Sequence, residues 1–401
     1  MPALLDPALA FLPYPDADVP HAGAGPLCGL TFAVKDLFDV AGYPTGGGSP
    51  FVLARSGIKR RTAPVVQRLL DAGARFVGKV VTDEFAFSMN GSNVHFGAPV
   101  NGAAPERISG GSSSGSAAAV SNRLADFALG TDTGGSVRAP ASHCGLYGIR
   151  PTHGRLSLEA VMDLSPSLDT CGWLARDGRT FTRVAEVLLG DDPHPLSQGI
   201  RVMNPTDAWA LLAEPVRAAH GESLTRVAQG LQERSGGKGT TDDFVAVEAA
   251  PDGIDALYWA FRYLQGREAW SSDGPLIQRY RPPMGPDVAA RFAWSSAVTD
   301  EQVADASRLR ERFRRQFADL LGDDGVLVLP TMPDIAPLRS EGDAALESYR
   351  AHAVQLLCLA GLAGFPQVSL PLGRREGAPL GLSLLGPAGS DLSLVRLAER
   401  I

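Results

Sequence analysis

Short apolar runs that alternate with helix-forming stretches constrain this chain more than any other feature. Leu30-Thr-Phe-Ala-Val-Lys-Asp-Leu-Phe-Asp-Val40 reads as a buried strand running into a turn at Gly42. Ala63 to Ala72 reads as a helix, and Arg75-Phe-Val-Gly-Lys-Val-Val81 as a second buried strand. The pattern returns late, where Val326-Leu-Val-Leu-Pro330, Gln367-Val-Ser-Leu-Pro-Leu372 and Gly381-Leu-Ser-Leu-Leu-Gly386 each form an apolar run between turns. Such alternation predicts an α/β fold in which helices cover a sheet. No repeat and no linker divides the 401 residues, so one domain is expected. Its expected parts are an irregular leader over 1–25, core motifs over 30–180, a helical middle over 190–320 and C-terminal strands over 325–390. Within the middle, Ser235 to Asp243 reads as a loop.

A formal charge of −7 argues against a nucleic-acid partner, which favours a basic face. Two basic clusters stand out, Lys59-Arg60-Arg61 and the run that puts Arg308, Arg312 and Arg315 on one side of an amphipathic helix. The second reads as a solvated helix face. Cys28, Cys144, Cys171 and Cys358 lie far apart, without a C-x-x-C pair, so neither a disulfide framework nor a zinc site is expected. Met1 to Pro20 lacks the basic and apolar regions of a secretory signal, and no stretch has the length of a membrane span. A cytoplasmic location without a membrane partner is the expectation.

Two glycine- and serine-rich loops carry the candidate chemistry. Gly110-Gly-Ser-Ser-Ser-Gly-Ser116 leads into the helix-forming Ala117-Ala-Ala-Val120. It is compatible with a flexible turn or with an anion nest at a helix start, but it lacks the lysine of a P-loop. It also matches G-x-S-x-G at Gly111-Ser-Ser113-Ser-Gly115, yet Pro105-Glu-Arg-Ile108 supplies no strand before it, as a nucleophile elbow requires. The second loop, Thr131-Asp-Thr-Gly-Gly-Ser136, puts a serine behind two glycines. Glycines permit a tight turn in which successive backbone N–H groups converge on a developing negative charge.

Lysine occurs only at Lys35, Lys59, Lys79 and Lys238, although the chain carries 37 lysines and arginines. Arginine cannot deprotonate in a protein, whereas lysine can. Codon usage accounts well for Lys59 and Lys238. Lys35 and Lys79 both sit in apolar runs, and either would have a lowered pKa if buried. Residue chemistry alone leaves the two tied.

The loops, together with Ala33-Val-Lys-Asp36 upstream and Gly364-Phe-Pro-Gln-Val-Ser-Leu-Pro-Leu-Gly373 late in the chain, resemble the amidase signature family. The resemblance runs from about Leu30 to the C-terminus. It implies a mixed central sheet with helices on both faces and a Ser–Ser–Lys triad. Matched by position, the base falls on Lys35, the relay on Ser112 after a cis Gly111–Ser112 peptide, and the nucleophile on Ser136. Thr133, Gly134, Gly135 and the Ser136 amide fall on the family's oxyanion hole, and Ser113, Asp132 and Arg138 on bracing positions. Lys79 matches no catalytic position.

The implied chemistry is amide hydrolysis through an acyl-enzyme, with neither metal nor organic cofactor. Burial among Phe32, Val34 and Leu37 is expected to favour the neutral amine of Lys35. Ser167-Leu-Asp-Thr-Cys-Gly-Trp-Leu-Ala-Arg-Asp177 and the region around Lys35 are similar to the plant amidase 1 group, whose members hydrolyse indole-3-acetamide and related arylacetamides. The implied substrate is a small, apolar primary amide, and a homodimer is allowed for. The family's cleft is lined by the stretch matching Phe85 to Ser92, which points to Ala86 and Met89; Cys171 and Trp173 are further pocket candidates. Two other members of the resemblance set stay open, the amidase subunit of a tRNA-dependent amidotransferase and a hydrolase of anilides or carbamates. Intact Lys35, Ser112 and Ser136 argue against a non-enzymatic docking scaffold.

Overall fold

The computed structural model describes residues 6–401, so the first five residues of the expected leader lie outside it. Ten strands occur among the described residues: β1 (Thr31–Lys35), β2 (Arg75–Val80), β3 (Phe127–Thr131), β4 (Tyr147–Arg150), β5 (Cys171–Ala175), β6 (Arg201–Pro205), β7 (Val245–Val247), β8 (Gly325–Pro330), β9 (Gln367–Arg375) and β10 (Ala378–Leu385). They join one sheet in the order β2-β1-β3-β5-β4-β9-β10-β8-β6-β7. The two ends are parallel, β2-β1-β3 on one side and β8-β6-β7 on the other, while the pairings between them are antiparallel. The sheet is therefore mixed. The middle expected to be helical holds mostly helices together with two strands, β6 and β7. Both are short, and β7 is an exposed edge of three residues, too brief for a periodic signal.

The faces of the sheet are packed differently. One carries a small cluster of mostly small residues, with Ala33 and Ala128 of the strands against Ala117, Ala118 and Val120 of the helix Ser114–Ser121. Alanines let that helix lie close to the sheet, and Ser116 Oγ donates to the Leu129 carbonyl at 2.8 Å across the gap. The other face carries the large core, including Phe32, Val34, Phe127, Leu129 and Trp173. Alternation along a strand divides the residues this way. The long helices Ile254–Tyr280, Asp300–Leu321 and Asp343–Ala363 pack against one another. Thr299 caps the second of these with a reciprocal capping box. Phe313, Phe317 and Leu321 turn inward along it, while Arg308 and Arg312 lie outward and pair with Asp305 and Asp252.

Parallel pairing brings the C-terminal ends of β1 and β3 side by side, with Val34 opposite Leu129. Lys35 ends β1 and Thr131 ends β3, so the residues that follow each strand gather at one edge of the sheet.

Candidate active site

Lys35 is completely enclosed, and its Nζ donates to Ser112 Oγ and to Thr131 Oγ1, each at 2.8 Å. No carboxylate forms an ion pair with it among the described residues. Burial pushes its pKa down to about 7, against a pull upward from the charges of Asp83, Asp132 and Asp169. The enclosure differs in detail from the sequence reading. Phe32, Val34 and Leu37 belong to the large core on the opposite face, and Ala33 shares the cluster on the side of Lys35.

Lys79 is equally enclosed but fully engaged. Its Nζ lies 2.9 Å from Asp36 Oδ1, and it donates to the carbonyls of Phe38 at 2.5 Å and Pro44 at 3.3 Å. Asp36 in turn accepts from Tyr14 Oη and the Gly46 amide. Burial pushes Lys79 down as well, and the contacting Asp36 carboxylate opposes it.

The Gly111–Ser112 peptide is cis. The Asp83 carboxylate occupies the space that a β-carbon at Gly111 would fill, with only 2.3 Å between them, so glycine is required there. The Ser112 carbonyl accepts from Thr82 Oγ1 at 3.0 Å and from the Asp83 amide at 3.2 Å. Burial raises the Asp83 pKa to about 6, against the Gly91 amide and the charge of Lys35. Ser113 is spent on structure: its amide donates to the Ser136 carbonyl at 3.2 Å and its hydroxyl to the Thr131 carbonyl at 3.3 Å. The first of these bonds sets the two loops edge to edge. No hydrogen bond joins the Ser112 and Ser136 hydroxyls themselves.

The second loop is wrapped around the Asp132 carboxylate. Asp132 accepts from the amides of Gly135 at 2.8 Å, Val137 at 3.2 Å and Arg138 at 3.2 Å. The Arg138 guanidinium adds bonds of 2.8 and 3.0 Å, and Arg150 one of 3.3 Å. Burial by itself would raise this acid; the two guanidiniums outweigh it and hold Asp132 well below the usual carboxylate range. Gly135 has φ 121, a conformation that favours glycine, and its amide is committed to Asp132. Of the four residues matched to an oxyanion hole, only Thr133, Gly134 and Ser136 keep amides without an acceptor among the described residues. Gly135 is therefore corrected from donor to hinge of the turn.

Ser136 lines a narrow, largely filled cleft. Ala86, Phe87, Ser88 and Met89 form one wall and Gly134 the floor, while Phe261, Gln265, Arg350 and Val354 close the far side. Phe85 and Ala86 both have positive φ, 52° and 54°, in the turn that presents this wall. Cys171 and Trp173 do not reach the cleft, which corrects their assignment as pocket residues. Cys171 is fully buried opposite Thr131 in the strand pairing, and Trp173 packs on Phe181, to whose carbonyl its indole N–H donates at 3.2 Å. Both point into the core beneath the site. Thr131, the second partner of Lys35, was not marked by the sequence, nor were the cleft residues on the two long helices. No cluster of metal-ligating side chains occurs among the described residues.

The chain is similar to known proteins over most of its length. The sequence model of the family described as Amidase matches residues 5–217 and 276–395. A protein of Oryza sativa subsp. japonica named Amidase 1 is 38% identical over 393 residues, spanning 94% of this chain and 90% of that protein. Amidase 1 of Arabidopsis thaliana is 39% identical over 399 residues, spanning 94% and 93%. A solved structure described as an amidase superposes with a TM-score of 0.80 at 30% identity, over 94% of this chain and 84% of that one.

Proposed function

The chain belongs to the amidase family and is an amide-hydrolysing enzyme, and on that premise we propose that Lys35, Ser112 and Ser136 carry the reaction. A serine hydroxyl is a weak nucleophile until a base takes its proton, and an ordinary lysine is protonated at neutral pH. A lysine with a pKa of about 7 is neutral in half of the molecules at that pH. In the neutral form the Ser112 hydroxyl turns to donate to Nζ. Ser136 Oγ then attacks the carbonyl carbon as its proton passes to Ser112 and the Ser112 proton to Lys35. The carbonyl electron pair moves to oxygen, where the amides of Thr133, Gly134 and Ser136 receive it. On collapse the C–N bond breaks, the proton returns through Ser112 to nitrogen, and ammonia leaves. Water, deprotonated by the same relay, attacks the acyl ester and releases the acid, and Ser136 regains its proton. The relay hydrogen bond between the serines forms once substrate is bound, as catalytic contacts often tighten only then.

The observation that carries this reading is the 2.8 Å contact with Ser112 of an enclosed Lys35 that touches no carboxylate among the described residues. The substrate is a small primary amide with an apolar body, for which Phe87, Met89, Phe261 and Val354 supply the surface. No helix among the described residues is long and apolar enough to cross a membrane.

Ammonia release measured over aliphatic, aryl and indole amides, with anilides and carbamates alongside, tests the reading. Ser136→Ala is expected to lose at least about 10³-fold in kcat/KM, as removal of a nucleophile does elsewhere. Undiminished turnover by that variant would sink the assignment.

A further inference from the structure

The lining of the cleft that holds Ser136 includes apolar side chains, Ser88, Gln265 and one buried guanidinium, that of Arg350. Arg350 is 5% exposed, and its only ion-pair partner among the described residues is Glu347, which takes one N–H at 3.0 Å. Its Nε has no partner among the described residues. Glu347 does not belong to Arg350 alone. Its second oxygen accepts from Arg291 at 3.1 Å, and Arg291 also bonds Asp287 and the Phe87 carbonyl, each at 2.9 Å. Arg262 adds a third positive charge nearby, held by Tyr258 Oη at 2.9 Å and by the face of Trp294. Three guanidiniums thus face two carboxylates, Glu347 and Asp287, and the surplus charge lies next to the cleft.

A buried guanidinium with unspent donors costs free energy unless an acceptor completes it. Arg350 has five N–H groups in a planar fork suited to a carboxylate. Its position relative to the nucleophile is fixed by the helix Asp343–Ala363. Val354, one turn on, lines the same cleft, and Leu357 meets the nucleophile loop, where its carbonyl accepts from Arg138 at 3.0 Å. Arg350 and Ser136 line the same cleft, so an acyl group attacked at Ser136 lies beside the guanidinium.

We propose that Arg350 selects amides whose acyl part ends in a carboxylate or another strong hydrogen-bond acceptor, the apolar body lying on Phe87, Met89 and Phe261 between the two ends. This rests on Ser136 as the nucleophile and narrows the substrate class for that same site. Half-amides of dicarboxylic acids and carboxylated arylacetamides fit the arrangement. Simple aliphatic amides and unsubstituted arylacetamides leave Arg350 unpaired.

The test compares substrates that differ only at the far end. Monoamides of succinic, glutaric and adipic acid are set against butanamide, pentanamide and hexanamide, and carboxyphenylacetamide against methylphenylacetamide. The wild-type enzyme is expected to favour the carboxylate member of at least one pair by about 10- to 100-fold in kcat/KM, mostly through KM. Arg350→Met removes or inverts that preference, and Arg350→Lys restores part of it. The double variant Arg350→Met/Glu347→Gln, which removes both members of the ion pair, shows the same loss of preference, and this separates recognition from the loss of that pair. A wild-type enzyme indifferent to the carboxylate, or a preference that survives Arg350→Met, overturns the proposal. If methyl-terminated amides are turned over and the carboxylates are not, this inference fails while the triad stands. If no amide yields ammonia and a fluorophosphonate leaves Ser136 unlabelled, the triad reading has failed and this proposal falls with it.

Discussion

Lys35 and Lys79 sit on adjacent parallel strands, one residue out of register: Lys79 pairs with Val34, and Lys35 with Val80. In a parallel sheet that single step sends the two side chains to opposite faces. Both are enclosed, and burial lowers both. Lys79 enters the large-core face and meets a carboxylate, two carbonyls and a hydroxyl, so its donors are consumed. Lys35 enters the side covered by the Ser114–Ser121 helix and meets only two hydroxyls. Burial alone does not make a lysine a base. Burial without a contacting carboxylate, and with a hydroxyl in reach, is what suits Lys35 to the proposed role.

The comparison breaks most readily on activity. Lys35→Met is expected to lower kcat/KM at neutral pH by at least about 10³-fold, because the base and the relay act as a unit. Lys79→Met should leave kcat of the folded enzyme within about threefold, and reveal itself in the melting curve instead. Removing it strands Asp36, which breaking a buried pair typically makes costly by about 3–5 kcal/mol. A Lys79→Met enzyme that is stable and inactive would reverse the assignment of the two lysines.

Adding Asp36→Asn to Lys79→Met removes the stranded charge and should recover part of that loss, as read by urea denaturation. The same addition to Lys35→Met should recover nothing, since Asp36 does not contact Lys35.

Acidity sharpens the contrast further. Wild-type kcat/KM should rise with pH and level off above about pH 7, where Lys35 is neutral. Stability has the matching sign. The folded-state pKa of Lys35 lies below the ordinary lysine value of 10.5, so between about 7 and 10.5 the unfolded chain binds the extra proton. Unfolding free energy therefore gains a rising component with pH across that window. Lys35→Met should flatten this component, and a slope that persists in the variant would place its origin elsewhere.

The smallest effect concerns the neighbouring serines. Ser112→Ala should cost about 10²-fold or more in kcat, whereas Ser113→Ala loses one hydrogen bond to a backbone carbonyl, worth about 1 kcal/mol of stability. The reverse ranking would revive a nucleophile-elbow reading of the first loop.

Much of this was legible in the sequence, for identifiable reasons. The strands near Lys35, Lys79 and Phe127 are short runs bounded by turn residues, and the loops carry their glycines where backbone or a carboxylate must come close. Residue chemistry nonetheless left Lys35 tied with Lys79, because the deciding contacts, Ser112 and Asp36, depend on which face each lysine takes. The ordered motifs separated them. Cys171 and Trp173 were misplaced since a strand beside the nucleophile strand looks adjacent to the site, while its antiparallel register turns both residues into the core. Phe261, Gln265 and Arg350 were invisible for the opposite reason. They stand on helices far along the chain, and only the packing of Ile254–Tyr280 against Asp343–Ala363 brings them to Ser136.

Because the chain has only four lysines, selective isotope labelling gives a direct reading of the central claim. NMR titration of the lysine side chains, with Lys35→Met and Lys79→Met used for assignment, should show one resonance with a midpoint at about 7 that belongs to Lys35. That midpoint should coincide with the one in kcat/KM. A Lys35 resonance that stays protonated up to about pH 10, like an ordinary exposed lysine, would contradict the account.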